Sequence, residues 1–345
     1  MNVTVVIPCF NEVDYIYNCV QSLIANNNKI QFDVLVVDGR STDGTVEILK
    51  KLSRKFPNVE WLTNEKRTVP YALNMAIKNS SSEFIVRVDA HCTYPNEYIS
   101  ILVSSLQENN VDNVGGVWVS LPSAKSNEAV VVARITSDKY CVGNAEYRIG
   151  VKSPTLTDTV PFGCYRKSLF ERIGYFDEEM TRNQDDELNS RIIKHGGKIL
   201  LIPDLKIIYY CRPTIRLASK MFFQYALFKP LGNFKSGRVS TTRQLLPPLF
   251  LVLIGLLLAF SIFSTAALIS LATLISLYFL IISVRSILLE MKTKKSNFSF
   301  NRIGLSIKCY ALIHVSYGLG YIKGIYGLLL KNFINSNIFT VGSSR

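Results

Sequence analysis

The sequence predicts an α/β fold, an open and mostly parallel sheet in the first 215 residues, followed by transmembrane helices. Three observations carry this. Over the first two hundred residues, short β-branched runs alternate with amphipathic helical patterns. Beyond residue 240, two long apolar stretches contain no charged residue. The charge is also unevenly divided. The 345-residue chain has a net charge of +13, yet residues 1–211 carry 23 Lys and Arg against 25 Asp and Glu, while 212–345 carry 16 against Glu290 alone.

The elements follow in order. Val3–Ile7 is a β-branched strand, and Asp14–Ala25 shows the three-to-four spacing of a helix. Phe32–Asp38 is the second strand. Thr45–Lys55 is a helix, with Asp43 of Ser41-Thr42-Asp43-Gly44-Thr45 placed to cap it. Val59–Leu62, Val69–Asn79 and Phe84–Asp89 read as strand, helix and strand. Strands separated by helices of this length pair in parallel through crossovers, and such sheets bind ligands at the carboxyl ends of their strands. Polar residues gather at three of those ends: Pro8–Glu12, Asp38–Asp43 and Asp89–His91. Further on, Asn183-Gln184-Asp185-Asp186-Glu187 opens a helix through Leu188, Ile192 and Ile193, its acids suited to the helix dipole.

In the last third, residues 216–244 interleave basic side chains with Phe222, Phe223, Tyr225 and Phe228, as at a membrane interface. Leu245–Phe263 and Thr265–Val284 each approach the roughly 20 helical residues that cross a hydrocarbon core. With only Ser264 between them, they form a tight transmembrane hairpin over residues 245–284. Lys229, Lys235, Arg238 and Arg243 precede it, and Arg285, Lys292, Lys294, Lys295, Arg302 and Lys308 follow it, so both flanks are expected in the cytosol. Residues 285–308 then form a basic loop. A third stretch, Cys309–Leu330, is apolar but contains His314 and Lys323, and either spans, re-enters or lies in the interface; 331–345 is a tail. The positive excess thus marks a membrane surface and argues against nucleic acid. Seven scattered cysteines without a Cys-x-x-Cys pair argue against a disulfide framework or a zinc site. The N-terminus shows no signal-peptide pattern, so the first domain is expected to be cytosolic, at the inner face of the cell membrane.

Six segments in order resemble the signature of family 2 glycosyltransferases of the GT-A fold, a Rossmann-like architecture. They are Val5-Val6-Ile7-Pro8-Cys9-Phe10-Asn11-Glu12, Val36-Val37-Asp38-Gly39-Arg40-Ser41-Thr42-Asp43-Gly44-Thr45, Val88-Asp89-Ala90-His91, Phe162-Gly163-Cys164-Tyr165-Arg166, Ile173-Gly174-Tyr175-Phe176-Asp177-Glu178 and Asn183-Gln184-Asp185-Asp186-Glu187-Leu188. The resemblance covers roughly residues 1–215. Within the family, Asp-Ala-His, the run Asp158–Gly163 and the C-terminal hairpin are most similar to glucosyltransferases of succinoglycan-type exopolysaccharide assembly.

The resemblance implies a nucleotide-sugar donor, first of all a UDP-sugar such as UDP-glucose, and a divalent metal, Mn2+ or Mg2+. It makes Asp89 a metal or ribose ligand and puts His91 where the family's second carboxylate stands, which favours Mn2+. Asp38 becomes the group that hydrogen-bonds the base, with Gly39 where many members have a second acid. Pro8, Phe10 and Glu12 become the wall of the base and ribose pocket, although Phe10 equally suits the core. Arg67 is the basic residue aimed at the nucleotide, or else a solvated surface side chain. Asp185 is the counterpart of the catalytic base in an inverting transfer, with Gln184 replacing the usual Glu and Asp186 in reserve. Gly163 and Cys164 form the acceptor-side turn. Arg212 and Arg216 contact the donor diphosphate or a lipid phosphate, or simply snorkel at the membrane. The Gln-x-x-Arg-Trp motif of processive synthases is missing, which favours transfer of a single sugar. The expected acceptor is a lipid-linked saccharide held in the membrane. The alternatives are a polyprenyl phosphate or glycolipid and, from another class, an inactive scaffold that binds nucleotide-sugars.

Overall fold

The structure, a computed structural model, describes residues 2–25, 29–292 and 298–329. Lys294, Lys295 and the 331–345 tail lie outside the described residues. The strands are β1 (Val3–Cys9), β2 (Phe32–Asp38), β3 (Val59–Thr63), β4 (Phe84–Arg87), β5 (Cys92–Thr93), β6 (Asn113–Pro122), β7 (Thr155–Leu156), β8 (Cys164–Arg166) and β9 (Ile199–Cys211). The helices of the first two hundred residues are α1 (Ile16–Ala25), α2 (Thr45–Lys55), α3 (Val69–Asn79), α4 (Tyr98–Glu108), α5 (Asn127–Ile135), α6 (Lys139–Val142), α7 (Glu146–Ile149), α8 (Lys167–Ile173) and α9 (Gln184–Lys194). Then come α10 (Ile215–Ser236), α11 (Leu246–Phe260), α12 (Thr265–Met291) and α13 (Phe300–Leu329). The chain divides into two compact units. The first holds the residues up to Val119, Glu146–Tyr209 and Gly232–Ser240; the second holds Ser120–Ala145, Tyr210–Leu231 and the residues from Thr241 onward.

The first unit is a single mixed sheet with helices. Its strand order is β3-β2-β1-β4-β8-β6-β9-β5, with β7 beside β9. The β1–β2, β1–β4 and β2–β3 pairs are parallel, in a register that places Cys9 beside Asp38 and Val6 beside Arg87. Val5, Val6, Ile7, Val34, Val36, Val37 and Val86 are all buried, as expected of strands covered on both faces. Leu73, Ala76 and Ile77 of α3, Phe170 of α8, and Leu188 and Ile192 of α9 join the same core. The half from β8 onward is antiparallel, as the β4–β8, β6–β8, β5–β9 and β7–β9 pairs show. These strands carry no repeating helix between them to announce them. β6 passes so close to β9 that a Cβ at Gly116 would overlap the Leu205 carbonyl.

One boundary differs in a way that matters for the site. The fourth strand was expected to reach Asp89 but stops at Arg87. Val88 still donates to the Val6 carbonyl, but the Asp89 amide turns away to the Tyr94 hydroxyl at 2.7 Å. Asp89 and His91 therefore stand beyond the strand end.

In the second unit, Thr242–Phe260 and Thr265–Met291 are two helices long and apolar enough to cross a membrane. Their side chains are mostly exposed, and the Ser264 hydroxyl caps α12 at Ala267. α12 runs beyond Val284, so Arg285, expected in a loop, lies on its last turns; α13 then starts at Phe300 and already contains Arg302 and Lys308. Most of the expected interface segment, 216–244, lies in the 22-residue helix α10, in which Phe222 and Phe228 are buried. A Cβ on Gly320 or Gly324 of α13 would overlap the Phe223 or Leu227 carbonyl, so glycine lets these two helices approach closely. Glu290 is buried and accepts hydrogen bonds from Arg134 of α5 at 2.5 Å and Arg302 of α13 at 2.6 Å. Asp138 is similarly held by Arg285 and Tyr310. These buried pairs explain why residues 120–145 group with the C-terminal helices, which a single cut near residue 215 does not anticipate.

Candidate active site

The site is built at the carboxyl ends of the parallel strands, where the backbone is conspicuously constrained. Asn11, Arg40 and Arg67, beyond β1, β2 and β3, have φ of 54°, 63° and 57°; Phe162, before β8, has 55°, and Asn183, before α9, has 59°. Non-glycine residues adopt this left-handed region sparingly, and its recurrence at one sheet end is the kind of strain that functional sites hold. Side chains knit these loops together. Asn11 donates its amide to Ser41 Oγ at 2.7 Å and accepts from the Thr42 amide at 2.9 Å.

Asp38 is buried, and its carboxylate accepts from the Ser41 amide at 3.0 Å and the Ser41 hydroxyl at 2.5 Å. Asp43 stands one residue before the Gly44 cap of α2; it accepts from the Thr45 amide and hydroxyl and from the Val13 amide, which hold its carboxyl below the usual range. Pro8 lies buried in β1, paired with Val37, and Phe10 borders Gly39, whose missing side chain leaves the ring room. Arg67 is exposed. Glu12 is buried and faces His91, with Oε1 at 3.2 Å from Nδ1. The other imidazole nitrogen, Nε2, lies 3.7 Å from Asp89 Oδ2. A carboxylate behind one ring nitrogen orients the ring and leaves the opposite nitrogen for a ligand. Glu12, expected in the ribose wall, also stands in contact with His91.

At the centre is Arg87, the last residue of β4 and 3% exposed. Its Nη2 donates to Asp89 Oδ1 at 2.9 Å, while Nη1 lies 3.2 Å from Asp185 Oδ2. Three neighbouring acids at the start of α9 are sorted by their partners. Asp185 meets Arg87, and its Oδ1 is buried without a hydrogen-bond partner. Asp186 accepts from the Thr159 hydroxyl at 2.9 Å, in a chain continuing through Asn189 to Asn113. Glu187 forms a forked pair with Arg191, whose guanidinium also binds the carbonyls of Ile173, Gly174 and Tyr175. Burial pushes the Asp185 carboxyl up to about 6; Arg87 opposes the rise, and Asp89 and Asp186 add to it. Asp185 thus combines a buried, unbonded oxygen with a raised proton affinity. The loop entering α9 is fixed by Asn74, bonded to Phe176 and Glu178, and by Lys235, bonded to Asp177 and Glu179.

An aromatic wall continues from this centre. Phe162 stacks over the Arg87 guanidinium at 4.6 Å; Trp118 stacks on Phe162 and, at 4.2 Å and nearly parallel, on Tyr209, whose ring lies 5.5 Å from His91. Gly163 is buried, and a Cβ there would overlap Asn113 Oδ1 and the Tyr165 hydroxyl, so internal packing accounts for the glycine. Cys164 is buried in β8 between β4 and β6. Arg212 follows β9, and Arg216 is exposed on the first turn of α10, both in the second unit. The structure thus brings together Glu12, Asp89, His91 and Asp185. The sequence reading passed over Arg87, Trp118 and Tyr209. For Arg87 a signal existed: one charge interrupting the apolar run Phe84–Val88.

Parallel strands delivering acids at their carboxyl ends, joined to an antiparallel half against which α9 packs, define a GT-A-type glycosyltransferase domain. The family model described as "Glycosyl transferase family 2" matches residues 4–174, so the chain carries a domain of that family. A dolichyl N-acetyl-α-D-glucosaminyl phosphate 3-β-D-2,3-diacetamido-2,3-dideoxy-β-D-glucuronosyltransferase of Methanococcus voltae is 27% identical over 332 residues, covering 94% of this chain and 97% of the relative. Succinoglycan biosynthesis protein ExoA of Rhizobium meliloti (strain 1021) is 29% identical over 245 residues, covering 70% and 73%. Among solved structures, the mannosyltransferase PcManGT of Pyrobaculum calidifontis, in complex with GDP-Man and Mn2+, superimposes with a TM-score of 0.58 at 19% identity, covering 94% of this chain and 87% of its own. That likeness concerns the fold.

Proposed function

We propose that the protein is a metal-dependent inverting glycosyltransferase that moves a sugar from a nucleotide-sugar, first of all a UDP-sugar, to a lipid-linked saccharide held in the membrane. The observation that carries this is the convergence of Asp89 and Asp185 on one buried arginine, the first beside an imidazole and the second with an unbonded oxygen. Asp185 takes the proton from the acceptor hydroxyl as that oxygen attacks the anomeric carbon opposite the leaving diphosphate. Its raised proton affinity suits that task, because a base near neutrality both stays ionised and binds the proton it receives. Asp186, committed to Thr159, helps hold the α9 start in place and remains the second candidate. Asp38, Pro8, Phe10 and Arg67 line the nucleotide side, and Gly163 and Cys164 the acceptor side. Arg212 and Arg216 meet the phosphates of donor or lipid.

Among the described residues no group of three His, Cys, Asp or Glu is arranged to hold a metal. One carboxylate and one oriented imidazole, Asp89 and His91, nonetheless fit a divalent cation that completes its shell with diphosphate oxygens and water, and Mn2+ accepts such a mixed set. Held by Asp89 and His91, such a cation would supply the positive charge that offsets the charge developing on the leaving diphosphate.

The relatives support the acceptor class. One is named for a dolichyl-phosphate-linked sugar and the other for succinoglycan biosynthesis, and the two apolar helices of this chain would hold it at such a substrate. Membranes containing the full chain, supplied with radiolabelled UDP- and GDP-sugars in turn, test the reading. One donor is expected to label the lipid fraction, and Asp89→Ala to abolish that label. No label from any donor, or undiminished label with Asp89→Ala, would refute it.

A further inference from the structure

Arg87 stands where two halves of the site meet. Its backbone amide donates to the Gly163 carbonyl at 2.9 Å, and the Phe162 ring covers its guanidinium at 4.6 Å, so the main chain and the head of the side chain are both held. Nη2 binds Asp89, which lies just past β4, and Nη1 faces Asp185, in the first turn of α9. Nη2 makes a hydrogen bond to its acid, whereas Nη1 meets Asp185 at 3.2 Å as an ion pair outside hydrogen-bond geometry. The planar guanidinium, always charged, presents its donors in a fixed fork, so the position of one acid sets the position of the other. Asp185 Oδ2 faces the fork, and Oδ1 is the oxygen without a partner.

We propose that Arg87 is a positioning residue for the transfer: one guanidinium yokes the carboxylate on the donor side to the base on the acceptor side and fixes where the base's unbonded oxygen stands. This rests on the reading of Asp185 as the base. A lysine keeps the charge but offers a compact point charge that cannot fork, and glutamine removes both charge and fork. Misplacing a reacting group by about 1 Å costs on the order of 100-fold in rate, which sets the scale of the effect.

The test uses the full chain in membranes, the donor that labels lipid, and the variants Arg87→Lys, Arg87→Gln, Asp185→Asn and the double variant Arg87→Gln/Asp185→Asn. Arg87→Gln is expected to lower kcat by about 100-fold with the acceptor KM changed by less than about threefold, and Arg87→Lys to fall between it and the wild type. Because the yoke acts through Asp185, Arg87→Gln is expected to take little further from the residual rate of Asp185→Asn. A purely structural role would instead lower the melting temperature and leave kcat per folded molecule unchanged. Should Arg87→Gln fail to fold, Arg87→Lys carries the test through its kcat at a wild-type melting temperature. Wild-type kcat in the folded variant, or fully multiplicative losses in the double variant, would overturn the yoke alone. Asp185→Asn at the wild-type rate would overturn the base reading, and the yoke with it.

Discussion

Asp185 carries a burial cost as well as its proposed task as the base. Its carboxyl is pushed up to about 6 by burial, from an ordinary value near 4. The folded protein therefore binds that proton more tightly than the unfolded chain, and the resulting stability is present below about pH 4 and lost as pH rises through about 6. Two outcomes follow. The rate of transfer should rise with pH along an acid limb centred near 6, measured as kcat against pH. Asp185→Asn, which removes the ionisation, should at pH 7 melt no lower than the wild type, read by calorimetry, while losing activity. Asp185, Asp89 and His91 were legible in the sequence because spacing and resemblance place them at strand and helix ends. Arg87 was not, since its meaning lies in two partners, one of them 98 residues away in the chain. Glu12 was legible as a site residue, but its role behind His91 depends on how the turn after β4 folds back.

The parallel strands and the first three helices could be read almost to the residue, because β-branched runs and three-to-four spacing are local signals. β6, β8 and β9 could not. Their pairing is antiparallel and long-range, and Gly115 and Gly116 in β6 serve close packing on Val160 and Leu205, which no periodicity reports. The same limit applies to α10, whose aromatic and basic residues suggest a membrane surface although Met221, Phe222, Leu227 and Phe228 are buried. The pairing of α10 with α13 depends on glycines with carbonyls directly opposite. Gly324→Val should therefore push the two helices apart and cost about 1–3 kcal/mol, seen as a lower melting temperature in detergent. Gly255, with open space around it, should tolerate alanine and serves as the control.

Across the whole molecule the charge division keeps its meaning and gains an exception. Residues 1–211 sum to −2 and the remainder to +15, with the basic residues flanking the two apolar helices on the side expected to face an anionic leaflet. The lone acid of that remainder, Glu290, is buried between Arg134 and Arg302, tying residues 120–145 to the helices that follow. Breaking such a pair leaves two arginines without their counter-charge. Glu290→Gln should destabilise the second unit by about 3 kcal/mol, with a lower melting temperature in detergent as the readout. In the proposed reading, basicity reports how the chain meets the membrane, and a few acids at the carboxyl ends of the strands carry the chemistry. The most direct test of that account is transfer of labelled sugar to the lipid fraction by Asp185→Asn in membranes, with folding confirmed by an unchanged or raised melting temperature. The account predicts a rate lower by roughly 1,000-fold or more. Metal-dependent transfer at the wild-type rate by the folded variant would contradict it.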